Sequence, residues 1–267
     1  ISADLRKIRD QIRRSTPTPV NFMIGNSGAA RAVFPAAQLG IEWRRQTGTA
    51  GFAPFTVPTQ ALGVIPGAIS RVAFGTFRSP DYMNAQRVIP ATGTLLGQPV
   101  PQSSNDLVVE MFLPSSPRPA GGWPVAIFGH GFTDSMYGAP WTVASVLASR
   151  GIATMAISVV GHGGGPLGTL RVTPQPGAPV VVVPSGGRGI DQDGNGTIDS
   201  TEGVGAVGAL TIVSSRDGLR QTVVDLMQLV RQIQAGIDVE GDGSVDFDRN
   251  RIYYAGQSFG GIYGTIF

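Results

Sequence analysis

The 267-residue chain contains no cysteine, which excludes disulfides, thiolate nucleophiles and cysteine-ligated zinc. Histidine is nearly as scarce, with His130 and His162 alone available for imidazole chemistry. No apolar run approaches the ~20 residues that a membrane-spanning helix needs. Charged residues are few, at 14%, and the net charge is only +2, so the pI of 9.3 is no argument for a nucleic-acid partner. Glycine (38) and proline (20) are abundant beside 42% hydrophobic residues, the composition of a globular chain with many structured loops.

Residues 2–14 read as a helix with Leu5, Ile8 and Ile12 on one face and a solvated basic face opposite. Residues 15–68 show no clear periodicity. Residues 1–68 together are expected to form an N-terminal extension that packs on the main domain or covers its active site. From residue 69 onward the pattern becomes regular. Strands are expected at 69–77, 106–114, 123–131, 152–165 and from 252, with helices at 140–151 and 214–236. In the long helix, Leu219, Val223, Leu226, Val230 and Ile233 share a face, and Ser214 with Asp217 has the spacing of a capping box. Uninterrupted apolar strands alternating with amphipathic helices predict an α/β fold with a mostly parallel, buried sheet and helices on both faces. Residues 166–213 form an excursion from this pattern, with a hairpin expected over 169–184.

At the end of the chain, an apolar strand runs into Gly-Gln-Ser-Phe-Gly and a helix-compatible segment. This is the nucleophile-elbow pattern, in which a strained serine stands clear of strand and helix. The residues two before and two after it must be small, and Gly256 and Gly260 satisfy that, with Gly261 adding room. Ser258 is then the nucleophile candidate, with Gln257 bordering it. Earlier in the chain, "FGHGF" brings His130, Gly131 and Phe132 into a glycine turn after a strand.

The segments "PVAIFGHGF", "GIATMAISVVGHGGG", "RDGLRQTVVDLMQLVRQI" and "RIYYAGQSFGG" together resemble the α/β-hydrolase fold. More narrowly, they are similar to bacterial extracellular lipases and carboxylesterases, including metagenomic polyester-hydrolysing esterases. The resemblance covers roughly residues 69–267. It implies that the Phe132 and Phe259 N–H groups face a developing oxyanion, that His130 orders its loop, and that His162 borders the site. It also implies the order serine, acid, histidine, which places both missing partners after Phe267. The chain is therefore expected to be the N-terminal portion of the catalytic domain, with a C-terminal remainder of the same protein as its partner.

Residues 191–202, "DQDGNGTIDSTE", match the calcium-loop pattern without a mismatch. Asp191, Asp193, Asn195, Asp199 and Glu202 supply side-chain oxygens, Thr197 its carbonyl, and Gly196 the sharp turn. Hard oxygens at this spacing suit Ca²⁺, and no organic cofactor is expected. Millimolar extracellular calcium would fill even a weak site, which favours a secreted or cell-envelope location. Residues 238–249 form a degenerate copy, with Arg249 where the closing bidentate carboxylate belongs.

The leading expectation is a serine carboxylic ester hydrolase acting on small-molecule, lipid or polyester esters, with Phe132, Phe259 and Tyr137 as apolar surroundings. Two alternatives stay open: a catalytically inactive, secreted, calcium-stabilised binding protein, and a serine acyltransferase or peptidase.

Overall fold

The computed structural model describes residues 2–94, 96–204 and 211–267. Its centre is a six-stranded sheet in the order β1-β4-β5-β7-β6-β10. The strands are β1 (Val33–Pro35), β4 (Ile69–Asp81), β5 (Ser103–Pro114), β6 (Trp123–Gly129), β7 (Ala153–Ile157) and β10 (Phe247–Gly256). Among the described residues, parallel pairing is confined to β7–β6 and β6–β10, whereas β1–β4, β4–β5 and β5–β7 are antiparallel. The expectation of a mostly parallel sheet thus holds only for the half that carries the site. Residues 69–114 return as a long hairpin-like pair, which apolar continuity alone does not distinguish from parallel strands.

Both faces of the sheet are covered, so β5 reads as an unbroken buried run over its last eight residues. Leu107, Val109, Met111 and Leu113 enter one core, while Val108 and Phe112 enter the other. The first core is closed by α3 (Thr211–Ala235) through Val223, Leu226, Leu229 and Ile233. The second is closed by α2 (Ala139–Ala148) through Trp141, Ala144 and Ala148. The helix α1 (Ser2–Arg14) packs Leu5, Ile8 and Ile12 against Tyr82 and Val224, as its spacing predicts. The helix α3 is already formed at Thr211. Ser214 and Asp217 are therefore buried residues within the helix rather than a capping box. Asp217 instead accepts from the Ile89 N–H and pairs with Arg216 and Arg220.

A second, fully antiparallel sheet has the order β3-β2-β8-β9, from β2 (Gly40–Gln46), β3 (Phe52–Thr56), β8 (Thr169–Thr173) and β9 (Val181–Pro184). The pair β8–β9 is the hairpin expected in the 166–213 excursion. Residues 15–68 supply β2 and β3 to this sheet and β1 to the edge of the central one. Trp43 of β2 lies opposite Leu170 of β8 and stacks edge-on to Tyr137 at 4.9 Å.

Candidate active site

The strand β10 runs beside β6, with Gly256 in register with Gly129, and turns directly into α4 (Phe259–Gly264). Between them Ser258 adopts φ 51° and ψ −112° and is exposed. A non-glycine residue there carries backbone strain of about 1–3 kcal/mol, which the surroundings must hold in place. They do so through a dense set of contacts. The Gln257 N–H donates to the Gly129 carbonyl at 3.0 Å. Tyr254 donates its hydroxyl to the Gly260 carbonyl at 2.6 Å, and Tyr263 to the His130 carbonyl at 3.2 Å.

The glycines are required by this crossing. A Cβ on Gly256 would lie 2.5 Å from the Gly260 carbonyl carbon, and one on Gly260 would collide with the Gly129 carbonyl oxygen. Gly261 is different: a Cβ there meets nothing nearer than 4.0 Å, so the turn does not need its smallness. A Cβ on Gly131 would stand 3.8 Å from Ser258 Cβ, so this glycine keeps the space over the serine open.

The loop after β6 therefore lies against the elbow. Among the described residues, the Phe132 N–H and the Phe259 N–H have no protein acceptor. Phe259 opens α4, where the first N–H groups lack intrahelical partners. The two phenyl rings meet edge-on at 5.2 Å, and both contact the His162 ring, at 5.6 and 5.8 Å.

Neither histidine is hydrogen-bonded to Ser258. His130 has no exposure, and both of its ring nitrogens are engaged. Nδ1 donates to the Gly131 carbonyl at 2.8 Å, and Nε2 accepts from the Val159 N–H at 3.0 Å. These bonds define the neutral tautomer, and burial lowers the pKa to about 4. His162 directs Nδ1 to the Val160 carbonyl at 3.0 Å, and burial lowers its pKa as well. His130 thus ties the loop of Gly131 to the end of β7.

A cleft of about 350 Å³ is lined on its apolar side by Phe259, the residue after the serine, with Phe132, Leu219 and Val204. Its other wall is the acidic loop, through Asp193, Asp199 and Glu202. Tyr137, expected near the site, is elsewhere. It is buried in the second core and donates its hydroxyl to the Ser185 carbonyl at 2.8 Å, because its ring completes the contact between the two sheets.

Within the acidic loop, carboxylate oxygens of Asp191, Asp193 and Glu202 lie within 4.8 Å of one another. Asp191 Oδ2 accepts from the Gly196 N–H at 2.9 Å, closing the turn. Glu202 Oε1 accepts from the Gln192 N–H at 2.6 Å, and its Oε2 from the Asp199 N–H at 3.0 Å. Among the described residues, Asp191 Oδ1 is buried with no partner. Three converging carboxylates with an orphaned oxygen are a donor set that fits a hard divalent cation. Asn195 is turned within the loop: its Oδ1 accepts from the Thr197 N–H at 2.8 Å and its Nδ2 donates to Asp193 at 2.9 Å. Ile198 is buried and anchors the loop, and its N–H donates to the Thr47 carbonyl at 2.9 Å.

The degenerate loop folds in the same way, with Asp238 Oδ2 accepting from the Gly243 N–H at 2.8 Å. Here Arg118 reaches in from the turn between β5 and β6. Its guanidinium bridges Asp246 and Asp242, the latter at 2.7 Å. A cation from the protein itself thus sits between two of the acidic side chains of the pattern.

No protein-family model matches the chain, and no curated protein matches it. Among solved structures it is similar to an acetyl xylan esterase from Paenibacillus sp. R4, at 19% identity over 75% of this chain and 45% of that one, TM-score 0.40. It is also similar to a cold-adapted esterase from an Arctic intertidal metagenomic library, at 15% identity over 72% and 53%, TM-score 0.35. A Geobacillus stearothermophilus carboxylesterase aligns at 14% identity over 74% and 40%, TM-score 0.32. All three are esterases, and the chain spans about half the length of these structures.

Sequence reasoning missed Leu219 and Val204 as cleft residues, Tyr254 and Tyr263 as braces, and Arg118 as the cation of the second loop. Leu219 looked like an ordinary core position of α3. The "YY" before the elbow was a usable signal, since a strand ending at a nucleophile needs its turn held. Nothing local marked Arg118.

Proposed function

We propose that this chain carries the nucleophile half of a serine carboxylic ester hydrolase. The observation that carries the reading is Ser258 itself, exposed at φ 51° and ψ −112° where a parallel strand meets a helix. Ser258 Oγ forms a bond to the ester carbonyl carbon as its proton passes to a histidine, giving a tetrahedral oxyanion. The Phe132 and Phe259 amides donate to that oxygen, and each such donor is worth about 10²–10³ in rate. Collapse breaks the bond to the alcohol, which takes the proton, and water then releases the acid by the reverse sequence. His130 has both ring nitrogens engaged, and His162 spends Nδ1 on the Val160 carbonyl while its Nε2 is buried; neither is bonded to Ser258, so in this reading the histidine and its acid come from residues outside 1–267. The apolar wall of Phe132, Phe259, Leu219 and Val204 suits the acyl chain of a lipid or a polyester segment.

Ca²⁺ in the 191–202 loop belongs to the same proposal. Asp191, Asp193 and Glu202 would hold it, and it would neutralise carboxylates that otherwise repel one another. Its role is structural, and it favours a secreted or cell-envelope protein. The test is a fluorophosphonate probe on the intact gene product. Stoichiometric labelling that disappears in Ser258→Ala, together with loss of p-nitrophenyl ester hydrolysis, is the expected result. A folded protein that takes up no probe overturns the reading.

A further inference from the structure

A second pocket of about 210 Å³ lies away from the ester cleft, beyond the C-terminal end of β7. At ~30 Å³ for each water, it has room for about seven waters. Its walls include Arg87, Arg188, Ser158 and Gly187, with Asn105 and Asp106 also lining it. Three features of this lining ask for a ligand.

The first is Ser158. The residue is 2% exposed, and among the described residues its buried Oγ has no hydrogen-bond partner. A hydroxyl left this way is costly unless something enters to meet it. The second is Arg87. Its Nε and one terminal nitrogen reach only the Gly203 carbonyl, at the long distances of 3.4 and 3.3 Å. Among the described residues no carboxylate lies within 4 Å of its guanidinium. Asp81 favours its charge from farther off but spends an oxygen on the Met83 N–H at 2.9 Å. The third is Arg188. Its side chain is 10% exposed and is held rigidly, by Asp225 at 2.7 Å on one nitrogen and the Ser158 carbonyl at 3.2 Å on another. Asp225 is itself fixed by Ser79 at 2.7 Å and Gln221 at 2.9 Å, so the arginine is preorganised.

We propose that this pocket binds a small oxyanion, a carboxylate or phosphate group, held by Arg87, Arg188 and the Ser158 hydroxyl. Paired guanidinium donors with a neutral hydroxyl recognise planar or tetrahedral oxygens, and the volume limits the ligand to a few heavy atoms. Asp106 also lines the pocket and is exposed. The site stands apart from the chemistry of Ser258 and does not rest on it. It borders the same loop network, since Ser158 precedes Val159, whose N–H holds His130.

The test is a thermal melt and calorimetric titration of the intact protein with sodium acetate and with inorganic phosphate, against sodium chloride at matched ionic strength. Saturating acetate or phosphate is expected to raise the melting temperature by about 5 °C over chloride. Arg87→Met should abolish the rise, and Ser158→Ala should weaken binding about tenfold. A response to acetate alone identifies the carboxylate source, and one to phosphate alone the phosphate source. No rise over chloride with either anion, or a rise unchanged in both variants, overturns the site. Far-UV circular dichroism confirms that each variant is folded, and Ser158→Ala carries the test if Arg87→Met is not.

Discussion

Glu110 sits in the middle of β5 with no exposure, accepting on Oε2 from the Trp141 indole at 2.9 Å while Oε1 has no partner. Burial raises its pKa well above the usual carboxylate range, and the Trp141 bond only partly opposes this. The folded protein therefore keeps this proton at pH values where the unfolded carboxyl, near 4.3, has lost it. Stability then falls as pH rises above about 4.3, and the loss is complete above the folded pKa. His130 acts in the opposite direction. Its folded pKa of about 4 lies below the unfolded ~6.5, so stability falls as pH drops through that interval. Glu110→Gln keeps the acceptor for Trp141 and removes the charge. It is expected to stabilise the protein at pH 8 by on the order of 1 kcal/mol. Thermal melts from pH 4 to 8 should then show a smaller loss of stability toward high pH than the parent protein does.

At the level of elements, the two acidic loops make a natural comparison. Both close around a first-position aspartate that accepts from the N–H of the sixth-position glycine. They differ in what neutralises them. Loop 238–249 has Arg118 between Asp242 and the fully buried Asp246, and Asp246 also accepts from the Val239 and Glu240 N–H groups, at 2.6 and 3.1 Å. This loop leads straight into β10 and hence to Ser258. Arg118→Ala is expected to cost about 2 kcal/mol, the scale of a charge-assisted hydrogen bond, as measured by urea unfolding. Chelator should leave that cost unchanged, because the closing ligand is Arg249 rather than a carboxylate.

Over the whole molecule, the calcium-type loop is a junction rather than an appendage. The Thr49 N–H donates to the Gly196 carbonyl at 3.1 Å and the Ile198 N–H to the Thr47 carbonyl at 2.9 Å, so the loop is stitched to the turn between β2 and β3. Its carboxylates line one wall of the cleft beside Phe132 and Phe259. Calcium at about 100 times its dissociation constant is expected to stabilise the protein by about 2.7 kcal/mol. Chelator should lower the melting temperature and open residues 46–52 and 191–202 to protease together. Cleavage confined to 191–202 would show that the two segments are not coupled.

Much of this protein was legible without coordinates, because the signals are local. The apolar spacing of α3, the buried run of β5 and the glycines around Ser258 each lie within a few turns of chain. Local geometry dictates such patterns wherever the segment ends up. The order of the strands, the antiparallel half of the sheet and the strands drawn from residues 15–68 were decided by tertiary structure. So were the guanidinium of Arg118 between Asp242 and Asp246, and the placing of Glu202 and Phe132 on one cleft. In each of these the partners are far apart in sequence, and their attraction acts only once burial has brought them together. No property of either segment alone records which partner that will be.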